Sequence, residues 1–432
     1  MGTALLAQST DLFSGPSVLS RGPRPIGFGS GRPVKLTFFA GTGVTYATGL
    51  MSAATDEKGN LRNDSSIGGY LNIGMYGVRS LRRGSVGFNY QANWQIFTEQ
   101  TYYTGVNQSM SVNYTRQLNR RSSFALGVGA GQSHTTLDGM RGSFATSYFD
   151  TPIDPASEIF DSPNYFVSAF GSINYQVSAR WTVAATASTF AVRRHSAVLV
   201  NSNGWAAGGQ AMYALSRRSS VGVGIHTGSF YFQRAFGEAQ YTGYMMQYSR
   251  VLSSRWSIGG GAGVNQIHAK RLTAVRVDPV IAALLGRGTT IAAGESNNSG
   301  FAGSATLFGA VPKGQVSVSY LRGVLPGNGL YLTSTGESAH ASYVYTGIRR
   351  VSAYATGSIG RIKDELQASN NLPQNKYESA SVGMSIRIFS AVSFTSQASV
   401  GRFDISKYAS RNRAFISAGL AFSSGQLPLL QW

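Results

Sequence analysis

Residues 85–97 read SVGFNYQANWQIF. Apolar and aromatic side chains occupy every second position from Val86 to Ile96, and Gly, Asn and Gln occupy the positions between them. Strict alternation over this length predicts a β-strand whose two faces meet different surroundings. The polar face of a strand in a soluble sheet usually carries Lys, Glu, Arg or Asp, whereas this one is uncharged. The stretch therefore predicts a strand with hydrocarbon on one side and a sheltered aqueous lumen on the other.

The same alternation recurs along most of the chain. Apolar residues oppose small or polar ones in further segments, which include 124–131, 181–188, 221–226, 256–264, 379–388 and 414–423. About 18 such strands are predicted, with 16 as an alternative, and an even number is usual for single-chain bacterial barrels. The pattern therefore predicts an all-β fold, a transmembrane antiparallel up-and-down β-barrel over residues 33–423.

The composition agrees with a chain whose largest surface faces hydrocarbon. Only 13% of the 432 residues are charged, against about 25% in globular proteins, and 53 residues are glycine. The richest apolar stretch, Val280 to Leu285, is far shorter than the roughly 20 residues that a membrane-crossing helix needs. The chain has no cysteine, which excludes disulfide frameworks and thiolate metal sites.

Short basic motifs separate many of the segments, such as LNRRS at 118–122 and LSRRS at 215–219. The predicted short turns contain no Asp or Glu, and the acidic residues lie in the longer connections. Short turns of such barrels face the periplasm and long loops face outside, so we expect long extracellular loops at 132–163 and 268–298. The predicted basic periplasmic rim consists of Arg82, Arg83, Arg120, Arg121, Arg180, Arg217, Arg218, Arg255, Arg349 and Arg350.

The two ends of the chain do not alternate. Gly and Pro punctuate residues 1–32, which predicts an extended N-terminal periplasmic segment or a partial plug. Residues 424–432 are a C-terminal tail that contains Pro428, a residue that does not suit a regular strand. Met1 to Ser9 reads like the end of a leader peptide, so we expect that a leader lies upstream or was trimmed.

These features resemble a bacterial outer-membrane β-barrel of porin size. The resemblance covers roughly residues 34–423 and depends on the alternation, the basic rim and aromatic residues near that rim, such as Trp181 and Trp256; it matches no named family. It implies the outer membrane of a Gram-negative-type bacterium and insertion by the barrel-assembly machinery. It also implies contact with outer-membrane lipid and lipopolysaccharide, and it allows a homotrimer.

Residues with catalytic or ligand-binding chemistry do not form a recognisable constellation. The Gly-rich runs 127–131 and 259–263 lie inside alternating segments, so we interpret them as strand positions and not as phosphate-binding loops. The five histidines share no metal-ligand spacing, and the pair Ser133-His134 lacks a third, orienting group. We interpret the acidic residues of 150–161 as a solvated outer loop. We therefore expect no enzymatic activity, no cofactor and no metal site.

The alternate strand positions that face inward are the ones that indicate function, because they would line the lumen. Its residues are mostly Gly, Ser, Thr, Asn, Gln and Ala, which are too short to fill the interior of such a barrel, and porins of 16–18 strands leave an aqueous channel. The lumen is therefore expected to be open, or occupied by loops or by the N-terminal segment. Inward charges are few, and we expect Arg361 to be one of them. The predicted lumen-lining residues are Tyr70, Asn72, Asn89, Gln91, Asn93, Gln95, Asn113, Asn174, Gln210 and Arg387.

The predicted function is an outer-membrane channel that passes hydrophilic solutes by diffusion, with a mild anion bias from the basic rim. One alternative is a conduit for exopolysaccharide export, because amide and tyrosine side chains suit sugar hydroxyls. Another is a plugged structural or adhesive surface barrel whose outer loops bind a partner. We do not expect nucleic-acid binding, because the basic residues form a rim instead of a groove with interleaved aromatic residues.

Overall fold

The computed structural model describes residues 35–50, 64–98, 103–134, 162–196, 199–276, 289–325, 333–364, 374–405 and 409–424. The predicted N-terminal segment 1–32 lies outside the described residues, as does the predicted C-terminal tail 424–432 except for Ser424. The strands are β1 Lys35–Leu50, β2 Asp64–Leu81, β3 Gly84–Phe97, β4 Gly105–Gln117, β5 Ser122–Ser133, β6 Asn164–Gln176, β7 Trp181–Arg194, β8 Ser202–Ala214, β9 Ser219–Phe232, β10 Gly237–Val251, β11 Trp256–Arg276, β12 Thr289–Val311, β13 Gly314–Leu325, β14 Ser334–Ile348, β15 Val351–Asp364, β16 Gln374–Arg387, β17 Val392–Ile405 and β18 Ala409–Ser423. Within these ranges, no helix is both long and apolar enough to cross a bilayer.

The eighteen strands form one closed antiparallel sheet. Each strand pairs with the next in the sequence, and β1 pairs with both β2 and β18. The closing ladder runs from Phe39 opposite Ser423 to Thr48 opposite Ala414. Closure leaves every strand with a hydrogen-bonded neighbour on each side, as a strand surrounded by hydrocarbon requires. The prediction of an eighteen-strand up-and-down barrel is confirmed.

Large apolar side chains cover the outer face of the sheet. Val44, Val128, Val223, Met246 and Val400, which lie on β1, β5, β9, β10 and β17, are each more than half exposed. An apolar surface that continues around the whole circumference is not typical of a soluble monomer, in which such patches stay within a few hundred Å². It is the surface expected of a barrel whose outer face contacts acyl chains.

The repeated basic motifs form tight turns, and the structure shows a reason for their Asn or Ser. The side-chain oxygen of Asn119 accepts hydrogen bonds from the backbone N–H groups of Arg121 and Ser122, both at 2.8 Å. The hydroxyl of Ser216 accepts from the N–H groups two and three residues later, both at 3.1 Å. Ser178 and Ser253 do the same in their turns. Short polar side chains favour turns because they satisfy backbone donors in this way.

All ten arginines of the predicted rim lie in these turns or at the strand ends beside them, at one end of the barrel. Aromatic rings lie next to them on the outer face: the rings of Trp181 and Tyr213 are 5.0 Å apart. The Arg180 guanidinium donates a hydrogen bond of 3.1 Å to the Tyr213 hydroxyl. This end therefore has the aromatic girdle and the cationic fringe typical of a membrane–water interface.

The prediction of a long loop at 268–298 is wrong in its bounds. Strand β11 continues to Arg276 and β12 begins at Thr289, and the two remain paired from Trp256–Gly309 to Arg276–Thr289. Strand β13 pairs with β12 only as far as the Gly303–Arg322 pair. The β11–β12 hairpin therefore continues beyond its last pairing with β13. Within the extension, Lys270 Nζ and Glu295 Oε1 form an ion pair of 2.9 Å. The predicted loop at 132–163 lies mostly outside the described residues.

Candidate functional site

The structure places the residues predicted to line the lumen on the inner side of the sheet, because they alternate with the exposed apolar residues of the same strands. Asn113 lies on this parity of β4, and Arg387 lies on it at the periplasmic end of β16, where it is exposed. Gln210 and Asn174 lie on strands β8 and β6, away from the others. The other six predicted residues come together on β2 and β3.

Amide and hydroxyl side chains form a continuous patch on the inner face of β2, β3 and β4. Asn72 lies opposite Asn93, which in turn lies opposite Asn107. In the next row towards the periplasm, Gln91 lies opposite Ser109. Neighbouring strands are about 4.8 Å apart, so the patch offers hydrogen-bond donors and acceptors at the spacing of adjacent polar groups on a small solute. We call these residues, together with Asn89 and Gln95, the amide patch.

The amide patch is withdrawn from solvent. Asn72 and Asn93 are only 1% and 6% exposed, and Asn89 is 5% exposed. Within the described part of the chain, Asn72 Oδ1, Asn93 Oδ1 and both amide atoms of Asn89 have no hydrogen-bond partner. A buried polar atom without a partner costs about 1–3 kcal/mol. The patch is therefore poised to exchange hydrogen bonds with a polar molecule.

Beside the patch the inner wall turns tightly around β1. The Tyr70 side chain reaches from β2 across Gly43 and Gly419 and hydrogen-bonds Thr395 on β17. A β-carbon at Gly419 would collide with the Tyr70 hydroxyl and with the Thr42 carbonyl, so this close approach requires glycine. Between the inner faces of β2–β3 and β17–β18 lies a cavity of about 20 Å³, enough for one water molecule. It is lined by residues that include Tyr70, Asn72, Asn93, Gln95, Gln397 and Ser417.

Hydroxyl pairs line the inner face of β13 to β16. Ser317 and Ser342 lie 2.6 Å apart, Thr356 and Ser381 lie 2.6 Å apart, and Ser358 bonds Ser379 in the same way. Each pair joins directly opposed residues on neighbouring strands. This part of the wall is therefore polar and uncharged, as the sequence predicts.

An apolar cluster on the inner face of β7 to β11 was not predicted. The rings of Phe230 and Tyr241 stack at 5.3 Å, and Phe190 lies 6.0 Å from Phe230. Val200 and Ala235, from the outer connections β7–β8 and β9–β10, pack against the same cluster. These connections therefore fold inward over this part of the lumen. Its buried members are Phe190, Val192, Ala206, Phe230, Phe232, Ala239, Tyr241, Ile267 and Ala269.

Inward charge differs from the prediction. Arg361 lies on the outer face, where its guanidinium bonds Glu337, because it shares a parity with the exposed Ile359. Instead, Arg411 and Arg413 point inward near the outer end of β18 and are 0% and 6% exposed. Arg411 lies over the Phe403 ring, 5.9 Å from its centroid, and donates to the backbone carbonyl of Gly49.

Gly49 and Arg194 are further positions that sequence analysis did not single out. Gly49 has φ +73°, a left-handed conformation that favours glycine, beside a register shift in β1. On β7, Arg194 is 3% exposed and donates a hydrogen bond of 2.8 Å to the Val200 carbonyl. Arg411, Arg413 and Arg194 are charged residues on the inward parity close to strand ends, which is the one signal in the sequence that could have indicated them.

Among the described residues, the remaining candidates do not come together in one place. The backbone N–H of His134 donates to Asn107 Oδ1 at 2.6 Å, so this residue borders the amide patch. Among the described residues, no group of three or more His, Cys, Asp or Glu could hold a metal ion. The acidic residues of 150–161 lie outside the described residues.

Comparison with known proteins yields distant structural likeness. No protein-family model matches the chain, and no curated protein matches it. The outer membrane protein OpdK from Pseudomonas aeruginosa is 11% identical over 90% of this chain and 99% of that chain, with a TM-score of 0.41. OccK2 (OpdF) from the same organism, solved in complex with glucuronate, is 11% identical over 90% of this chain and 98% of that one, with a TM-score of 0.42.

The FrpB iron transporter from Neisseria meningitidis is 12% identical over 84% of this chain, with a TM-score of 0.41. This chain spans 62% of the length of that transporter. Likeness at this level assigns no residue role. The chain's own closed topology and apolar outer face identify it as an eighteen-strand β-barrel of the bacterial outer-membrane type.

Proposed function

We propose that the protein is an outer-membrane channel for the passive passage of hydrophilic solutes, with a mild preference for anions. The observation that carries the proposal is the amide patch. An uncharged row of donors and acceptors on the inside of an apolar-coated barrel has the chemistry of a polar solute pathway.

Amides suit transient contact with a passing solute. An intramolecular hydrogen bond exchanged for one to water changes the free energy by only about 0.5–1.5 kcal/mol. The side chains around Asn72 and Asn93 must move apart before a solute reaches these buried amides, and a solute that then exchanges hydrogen bonds with them is held weakly and released easily. Conduction requires such binding, favourable enough to enter and weak enough to leave.

The proposed anion preference has two supports. Arg411 and Arg413 place guanidinium groups on the inner wall near the outer end, and Arg387 lies on the inner parity at the periplasmic end. The turn arginines add positive charge around the periplasmic mouth. Cationic groups at both ends of a pathway raise the local concentration of anions.

The test is single-channel recording of the full-length protein in planar bilayers, with a salt gradient for selectivity and a neutral oligosaccharide as a blocker. We expect stable conductance, a reversal potential on the anion side, and a block that Asn93→Leu weakens. Gln108→Leu is the matched control, because this amide on β4 lies on the outward parity and bonds Gln132.

A protein that inserts but never conducts would overturn the channel proposal. That outcome would favour the plugged surface barrel, for which the inward-folded connections over the apolar cluster are the specific support. Equal weakening of the block by both variants would overturn the role of the amide patch while leaving the channel itself in place.

A further inference from the structure

The outer face of β13 to β17 changes abruptly from apolar to charged. One row of directly opposed outward residues is Val316, Tyr343, Ala355, Val382 and Ala398, and the next is Val318, Ala341, Gly357, Ala380 and Val400. The following two rows contain the charged residues Arg322, Glu337, Arg361, Lys376, Glu378, Arg402 and Asp404. We call these seven residues the outer charged band.

The position of the band along the strands places it at the outer edge of the bilayer. Arg361 is the eleventh residue of β15 and Arg402 the eleventh of β17, counted from the periplasmic turn. A tilted strand crosses the hydrocarbon in about 9–11 residues. The band therefore lies where acyl chains end and the head groups of the outer leaflet begin.

Glu337 holds two arginines side by side within the band. Its Oε2 accepts from Arg361 Nε at 2.7 Å and lies 2.5 Å from Arg361 Nη2, and Arg322 Nη1 lies 3.8 Å away. The Tyr320 hydroxyl donates to the other carboxylate oxygen at 3.0 Å. One carboxylate balances one of the two guanidinium charges, so this end of the band keeps a positive excess with fixed donor geometry.

At the other end of the band two cations, Lys376 and Arg402, lie among two carboxylates, Glu378 and Asp404. Arg402 Nε lies 3.1 Å from Asp404 Oδ2, and its side chain is 59% exposed. Lys376 lies directly between Arg361 and Asp404 in the same row. Across the band four cations therefore meet three carboxylates, and all seven side chains point away from the lumen.

We propose that the outer charged band binds the phosphate groups of outer-leaflet lipid, with Arg322, Arg361, Lys376 and Arg402 as the donors. The guanidinium fork matches phosphate oxygens in pairs. The apolar rows immediately beneath contact the acyl chains of the same lipid, so one molecule satisfies both surfaces. Glu337 is a positioning residue that aligns Arg361 and Arg322. Lipid binding on the outer face does not depend on what passes through the lumen.

Lipid retention by the full-length protein tests the site. The protein is reconstituted in neutral-lipid nanodiscs with a trace of bis-phosphorylated glycolipid or of its dephosphorylated form, and bound lipid is counted by native mass spectrometry. We expect retention of the phosphorylated lipid alone. Arg322→Gln/Arg361→Gln/Arg402→Gln should lower its affinity by about fivefold for each cation removed, the equivalent of about 1 kcal/mol apiece.

Two variants keep the result interpretable. Arg217→Gln/Arg218→Gln/Arg255→Gln removes the same charge from the periplasmic turns. Its fold loss of lipid affinity should be at least ten times smaller than that of the band variant. Arg402→Gln alone changes an exposed side chain and should fold normally, with about a fivefold loss. Equal retention of the dephosphorylated lipid, an equal loss in the turn variant, or burial of this face against a second copy of the chain would each overturn the proposal.

Discussion

Asn72 on β2 and Asn93 on β3 are directly opposed on the inner face of the barrel, and both are almost fully buried. Each has an amide oxygen without a hydrogen-bond partner in the described part of the chain. Asn72 lies on β2, the strand next to β1, and Asn93 in turn lies opposite Asn107 on β4. The pair of Asn72 and Asn93 is the centre of the amide patch.

Asn93→Asp should make ion selectivity depend on pH. Burial disfavours a carboxylate, so the introduced acid should stay protonated well above its ordinary pKa of about 3.9. The reversal potential should therefore match the parent at low pH and move towards cations as the pH rises. Asn113→Asp, on the same face of β4 but half-buried, should shift selectivity at lower pH. Identical titrations of the two variants would contradict the burial of Asn93.

Gly419→Ala should destabilise the barrel at the tight turn around β1. The added methyl group meets the Thr42 carbonyl and the Tyr70 hydroxyl, and overpacking of this kind costs about 1–3 kcal/mol. Urea titration of the protein refolded into lipid vesicles, followed by tryptophan fluorescence, measures the change. Gly300→Ala is the control, because nothing lies within 4 Å of a β-carbon there. Equal stability of the two variants would show that the wall does not close as described.

Neighbouring residues on β16 test which face meets lipid. Val382 is 55% exposed on the outer face, and Ser381 lies on the inner face. Val382→Lys should lower the free energy of unfolding in vesicles by about 2–4 kcal/mol, because a cation near the bilayer midplane loses its hydration. Ser381→Lys should cost about 1 kcal/mol, the value of its hydrogen bond to Thr356. If Ser381→Lys cost more than Val382→Lys, the hydrocarbon would contact the face that we assign to the lumen.

The ion pair on the β11–β12 extension should persist across the neutral range. The hydrogen bond from Lys270, then its charge, lowers the pKa of Glu295 below 4.5, and the same contact raises the pKa of Lys270 above 10.5. The contribution of Glu295 is therefore complete above about pH 4.5 and is lost as the pH falls through the lowered pKa. That of Lys270 is complete below about pH 10.5 and is lost as the pH rises through the raised pKa.

Carbon-13 NMR titration of the Glu295 carboxyl measures this shift. Lys270→Met should return the midpoint towards 4.5, the ordinary value for this carboxyl. An unchanged midpoint in the variant would show that the pair does not form in solution.

The strand count, the inner and outer faces and the basic turns could be read from residue order because each depends on local chemistry. Alternation of period two assigns faces without knowledge of neighbours, and the Asn and Ser turns at 119 and 216 satisfy their own backbone. The bounds of β11 and β12 could not be obtained in this way. Residues 268–276 and 289–298 alternate poorly, and their pairing with one another extends the hairpin.

The site was only partly predictable. Asn89, Gln91, Asn93 and Gln95 were assigned to the inner face from alternation, whereas the assignment of Arg361 failed. A charged side chain at the outer edge of the apolar band is hydrated on the outer face, so its polarity there does not indicate the lumen. Phe190 and Phe230 were missed for the converse reason, because an apolar inward residue is stable wherever an outer connection covers it.

Local residue order determines the antiparallel strands, their two faces and their basic turns, since these features need only the geometry of one strand and its turn. The tertiary structure decides which side chains meet across strands. It brings Tyr70 to Thr395, three strands away, sets Glu337 between Arg322 and Arg361, and buries the amide patch. The physical reason is that these contacts depend on the curvature and register of the closed sheet, and no short stretch of sequence encodes either.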